Sequence, residues 1–261
     1  MPSMNTILSS ASPWWRRWVC ALCLLYTVMV AAAATEAPPD PDRRVEVVTL
    51  DKGEISRTFQ GTLRGREYID FQIAAGAGQR LGVTLKRGNA MNYFNIMAPG
   101  ANEALFIGST SGRQARRILA ADGVYTIRLY LMRAAARRNE HSDYELNIAL
   151  DGKALLPLSP TKDALVRGTP YHATATISCQ RGEALPVRCD ANVIRRGQGG
   201  TGTVVVVWPG GFKRNLLFVK LQPMASDSRE AMTYTREGDV TAVSLGKEER
   251  FEIPDALVAG G

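Results

Sequence analysis

Histidine is nearly absent from this sequence of 261 residues. The two present, His141 and His172, cannot build a His-rich metal centre, and no cofactor is implied. Cysteine is scarce too: four residues are too few for a disulfide-dense scaffold. Beyond residue 34 no apolar run approaches the length of a membrane span. Neither G-x-S-x-G nor H-E-x-x-H occurs, so two common hydrolase signatures are missing. The glycines at 197–202 lack the Lys-Ser/Thr of a phosphate loop, and Gly108–Gly112 centres on Thr110 and reads as a turn. What is present fits a folded globular chain: 45% hydrophobic residues, 22% charged, and a formal net charge of +7.

The N-terminus reads as an export signal. Arg16 and Arg17 precede the apolar run Trp18–Val30, and Ala31–Ala34 supply small residues for a cut after Ala34. Cys20 and Cys23 do not end a lipobox, because apolar residues continue past both. Residues 35–43 (TEAPPDPDR) read as a disordered leader. Export places the mature chain in the periplasm, with no membrane segment left after cleavage. Cys179 and Cys189 then remain as a pair in an oxidising compartment, where a structural disulfide is expected.

The mature chain reads as all-β. Residues 44–150 carry short runs of β-branched and aromatic residues between glycines. In one of them Val124, Thr126, Arg128 and Tyr130 alternate with Tyr125, Ile127, Leu129 and Leu131, which gives one wet face and one packed face. An antiparallel β-sandwich is the expected architecture. Residues 151–168 hold two prolines and no alternation, and read as a linker. Residues 169–258 begin a second set of strands and read as a small β-rich domain.

Charge is uneven between these parts. Residues 43–150 hold 16 Lys+Arg against 10 Asp+Glu, whereas residues 169–261 hold 11 against 10. Seven arginines fall within 113–138 against a single acid, Asp122. Such a segment attracts an acidic partner. Nucleic acid is disfavoured, because the arginines lack interleaved aromatics and the chain is exported. The stretch Met132-Arg-Ala-Ala-Ala-Arg-Arg-Asn139 stands out. Three alanines between Arg133 and Arg137 favour a short helical excursion, which puts both guanidiniums on one face. Two such groups on a projection suit carboxylate capture; a solvated surface turn is the plainer alternative.

From about Gly61 to Leu150 the chain resembles the periplasmic inhibitors of g-type lysozyme. The resemblance rests on Gly65-Arg-Glu-Tyr68-Ile-Asp-Phe71, Ala75-Gly-Ala-Gly78-Gln-Arg-Leu81, Ala121-Asp-Gly123-Val-Tyr125, Arg133-Ala-Ala-Ala-Arg137-Arg-Asn139 and Tyr144-Glu-Leu-Asn-Ile148. It implies a non-catalytic β-sandwich that plugs the acidic substrate cleft of a g-type lysozyme with a basic projection. Arg133 and Arg137 match the family's Arg-x-x-x-Arg signature, and Arg138 adjoins them. An aromatic contact is implied just after Gly65. Here Arg66 stands in that place, and Tyr68 is the candidate. Ser111 is the candidate for a second contact loop. The Ala-Gly-x-Gly-Gln-x-Leu piece also looks like the sugar-binding modules of secreted enzymes. The alternative function is therefore a carbohydrate- or cell-envelope-binding module with peptidoglycan as its partner. Residues around Cys179, Cys189, Trp208 and Pro254 resemble an exported proteobacterial domain of unassigned function.

Overall fold

The computed structural model describes residues 40–197 and 199–260. The expected signal peptide and residues 35–39 of the leader lie outside the described residues. Among the described residues no helix is long and apolar enough to cross a membrane. Asp40–Asp42 lead through a turn into β1 (Arg43–Val48); Tyr68 binds Asp40 and Asp70 binds Arg43.

Two sheets face one another in the first half. One is ordered β1-β3-β8-β5-β6, with β3 (Tyr68–Ala75), β8 (Gly123–Leu131), β5 (Asn92–Met97) and β6 (Ala104–Ile107). The other is ordered β2-β9-β4-β7, with β2 (Ser56–Arg64), β9 (His141–Asp151), β4 (Arg80–Arg87) and β7 (Gln114–Ile118). All ladders are antiparallel except one: β1 runs parallel to β3. The intervening β2 belongs to the opposite sheet, so the chain crosses over and returns in the same direction. Alternation decides the faces as the sequence suggests. Tyr125, Ile127, Leu129 and Leu131 of β8 are buried, and Arg128 is exposed. They pack with Phe71, Phe94, Leu146 and Ile148 into one core, in which Phe94 stacks on Phe106 at 5.1 Å. After β6 the chain makes the single helical turn α1 (Gly108–Ser111). A Cβ at Gly108 would lie 2.4 Å from the Phe94 carbonyl oxygen, so only glycine permits this approach.

The second half is an eight-stranded, nearly closed sheet. Its strands are β10 (Ala173–Arg181), β11 (Val187–Arg195), β12 (Gly202–Val207), β13 (Lys213–Val219), β14 (Gln222–Ser226), β15 (Met232–Glu237), β16 (Val240–Leu245) and β17 (Glu249–Pro254), with α3 (Asp255–Ala259) at the end. Their order is β14-β13-β12-β11-β10-β17-β16-β15. Every strand therefore pairs with its sequence neighbour except β14 with β15, and the last strand returns to the first. The interior is filled by Val193, Val206, Trp208, Phe218, Phe251 and their neighbours. Cys179 and Cys189 form a disulfide between neighbouring β10 and β11. By loop length it contributes roughly 2–3 kcal/mol.

The two halves are bolted together at one end of the sandwich. The fully buried Arg196 meets Asp122 at 2.7 Å and donates to the Leu155 carbonyl, while Thr203 donates to the Ala120 carbonyl. Ala77 and Ala120 pack with Leu217 and Ala225. Beyond Asp151, the last residue of β9, the segment to residue 168 holds only an isolated bridge from Pro157 to Arg196 and is tied down on both sides: the Leu155 N–H donates to the Ala77 carbonyl, and the Leu158 N–H to the Arg195 carbonyl. All these contacts lie near the start of β8. The other end of this nine-residue strand is roughly 25–30 Å away and stays uncovered by the second half.

Candidate partner-binding site

The uncovered end of β8 carries the helix that the alanines predict. The Met132 N–H donates to the Met91 carbonyl at 2.9 Å, and α2 (Arg133–Arg137) follows. Ala135 is fully buried in the sandwich core, and Ala136 packs partly against it. That anchor turns Arg133, Arg137 and Arg138 outward, and all three are exposed. Asn139 ends the helix in the left-handed region (φ 51°), and Glu140 returns its N–H to the Ala135 carbonyl. Gly65 (φ 56°) donates to the Glu140 carbonyl at 2.8 Å, and a Cβ there would lie 2.6 Å from Asn139 Oδ1. Gly65 and Asn139 thus lock the base of the projection.

The three arginines are not equivalent. Arg138 is paired with Glu140 at 2.6 Å. The side-chain bonds from Asn89 and then Arg138 hold the Glu140 carboxyl below its ordinary range. Arg133 and Arg137 make no ion pair among the described residues. At i and i+4 they share one side of the helix. Among the described residues no carboxylate compensates either guanidinium.

Tyr68 lies one strand away, opposite Tyr130 in the β3–β8 ladder, and Tyr130 lies opposite Tyr93 in β5. These tyrosines form a row across the solvent face of the sheet, at the foot of α2. Arg128 lies over the Tyr68 ring at 4.4 Å, and Arg87 over the Tyr93 ring at 4.4 Å. Beneath the row, Asp70 is fully buried. It accepts two bonds from Arg128, at 2.7 and 2.8 Å, and one from Arg43 at 2.8 Å. Burial pushes the Asp70 carboxyl up, but the bonds from Arg128 and Arg43 outweigh it and hold it below its ordinary value. Ser111, exposed at the end of α1, follows a strand that runs toward the same end of the sandwich. Arg133, Arg137, Arg138, Tyr68 and Ser111 therefore share one end. Sequence reasoning named none of Arg128, Tyr130, Tyr93 or Arg87 as a site residue, although the alternation already put Arg128 and Tyr130 on the wet face.

The seven arginines of 113–138 do not form one continuous patch. Arg116 and Arg117 sit on β7, in the opposite sheet, where Arg116 faces Asp151 at 3.5 Å and Arg117 lies over the Phe106 ring. Proximity in sequence is lost because the chain changes sheet between β7 and β8. Among the described residues no group of three or more His, Cys, Asp or Glu is placed to hold a metal ion.

No family model and no curated protein matches this chain. Among solved structures it is similar to PliG of Aeromonas hydrophila, with 32% identity over 42% of this chain and 97% of that one, at a TM-score of 0.39. It is also similar to PliG of Salmonella Typhimurium, with 24% identity over 41% of this chain and 98% of that one, TM-score 0.35. A mutant of PliG-Ec from Escherichia coli gives 25% identity over 42% and 98%, TM-score 0.34. Each of these is a periplasmic inhibitor of g-type lysozyme. Almost the whole of each PliG chain is covered by well under half of this one.

Proposed function

We propose that this chain is an exported, non-catalytic inhibitor of g-type lysozyme that lodges Arg133 and Arg137 among the carboxylates of the enzyme's substrate cleft. One observation carries the reading: two exposed arginines, without an ion pair among the described residues, stand on one side of a helix whose base is locked into the sandwich core. A pre-organised projection gives up little conformational freedom on binding, and guanidiniums pair carboxylates in two-point geometry. Export through residues 1–34, a mature chain from Thr35 and the Cys179–Cys189 disulfide suit a periplasmic location. In this reading Tyr68 and Ser111 flank the projection as further contacts. Arg138, neutralised by Glu140, holds the end of the helix. The second half, bolted to the far end, leaves the projection unobstructed.

The test is wall lysis by a g-type lysozyme with and without residues 35–261, beside a c-type enzyme. Inhibition of the g-type enzyme alone, weakening as salt screens the charges, is the expected result. No inhibition at micromolar protein, or equal inhibition of both enzymes, would overturn the reading.

A further inference from the structure

A carboxylate already sits on the candidate site, and it belongs to the chain itself. The Tyr68 hydroxyl donates to Asp40 Oδ2 at 2.7 Å. The Asp42 N–H donates to Asp40 Oδ1 at 3.0 Å, and the Asp42 carbonyl accepts the Tyr68 N–H at 2.9 Å. These bonds wrap the turn at residues 40–42 over the edge of the tyrosine row. Arg128 covers the same ring, and it spends Nε and Nη2 on Asp70. The position is thus a phenol hydroxyl flanked by a guanidinium, a donor set that suits a carboxylate. Tyr130, opposite Tyr68, precedes Arg133 by three residues, so Asp40 lies about 10–15 Å from the start of α2. The segment 35–42 holds Glu36, Asp40 and Asp42 and no basic residue.

We propose that Tyr68, with Arg128 beside it, is a carboxylate-receiving position that continues the Arg133–Arg137 site, and that Asp40 fills it in the unbound chain as a built-in competitor. The proposal rests on the lysozyme reading for the identity of the partner, though not for the chemistry of the position. A lysozyme carboxylate takes the Tyr68 bond by displacing Asp40. The exchange is nearly one bond for one, so the competitor tempers affinity without abolishing it. A purely structural staple makes the opposite prediction: removing Asp40 would loosen β1 and leave binding unchanged or weaker.

The test is calorimetric titration of residues 35–261 at 0.15 M salt, as wild type, Asp40→Ala, Tyr68→Phe and the double variant. Glu237→Ala, an exposed acid on β15, controls for the change in net charge. Each is titrated with a g-type lysozyme and with poly-L-glutamate. Asp40→Ala is expected to tighten both about three- to tenfold, as for one charge-assisted hydrogen bond. Glu237→Ala should change either by less than about twofold, since its charge is screened at this salt. In the Tyr68→Phe background the gain from Asp40→Ala should vanish. An unchanged or weakened Asp40→Ala, or the same gain without the Tyr68 hydroxyl, overturns the proposal. If poly-L-glutamate shows the full pattern while no variant binds lysozyme, the carboxylate position stands and the lysozyme reading falls. If nothing binds either probe, both fall.

Discussion

Replacing Arg133 or Arg137 by alanine is expected to weaken binding to a g-type lysozyme by about 2–5 kcal/mol each, and the double variant should not inhibit at micromolar concentration. The magnitude follows from what each loss leaves behind. A guanidinium lodged among carboxylates in a closed cleft is desolvated, and truncating it strands the enzyme's charge without a partner. The melting temperature should stay close to that of the wild type, because neither arginine makes an ion pair among the described residues. Arg138→Ala is the internal control. It breaks an exposed pair with Glu140, worth under about 1 kcal/mol, and should alter binding little. An equilibrium binding series decides the matter. Losses under about 0.5 kcal/mol at both Arg133 and Arg137 contradict the mechanism.

The largest expected effect on stability lies in the second half, at Arg214. Its Nε meets Glu249 at 2.7 Å, and Nη1 meets Asp227 at 3.3 Å. Nη2 reaches Glu103, in the sandwich, at 3.4 Å. The side chains of Arg214, Asp227 and Glu249 are only 4%, 3% and 6% exposed, so water compensates none of them. Arg214→Ala leaves the buried Asp227 with no cation and Glu249 with only the half-exposed Arg181 at 3.5 Å, and should cost about 3–5 kcal/mol. Burial is the chief influence on Asp227 and holds its carboxyl above the ordinary value even with Arg214 beside it. A group with a raised folded-state pKa contributes stability fully below its unfolded pKa and loses it as pH rises through the folded value. Without Arg214 that value rises further, so the deficit of the variant should be smaller at pH 5 than at pH 8. Denaturant unfolding at the two pH values measures it. A deficit below about 1 kcal/mol at pH 8 would mean that the cluster is not the buried charge network described. Asp70 works in the other direction. Its carboxyl is held below the ordinary value, so its contribution is present above the unfolded pKa and fades as pH falls through the folded one.

Local features of this fold are legible in the sequence, and long-range ones are not. The alternation in Val124–Leu131 marks the faces of β8, because a half-buried strand requires period two. Arg133-Ala-Ala-Ala-Arg137 marks α2, because alanine both favours a helix and is small enough for Ala135 to sink into the core. The partners and directions of strands leave no such local trace. Nothing in Arg43–Val48 announces that it runs parallel to β3, and nothing in β10 announces that β17 returns to pair with it. The same limit applies to the site. Arg128 and Arg43 reach Asp70 across 58 and 27 residues, and their bonds depend on register alone. Arg196 and Asp122 meet across 74 residues, so the bolt between the halves is invisible before folding. Arg138 differs from Arg133 and Arg137 for a shorter-range reason. The left-handed Asn139 brings Glu140 back under the helix, and that turn neutralises one arginine of the three.

If the arginine projection occupies the substrate cleft of a g-type lysozyme, the protein and the substrate cannot bind together. Competition with a substrate oligosaccharide tests it most directly. Residues 35–261 would be titrated into the enzyme at rising concentrations of a cleft-filling N-acetylglucosamine oligomer. Mutual exclusion is expected, with the apparent Kd of the protein rising in proportion to the oligosaccharide. Simultaneous binding of both, with an unchanged Kd, would contradict it.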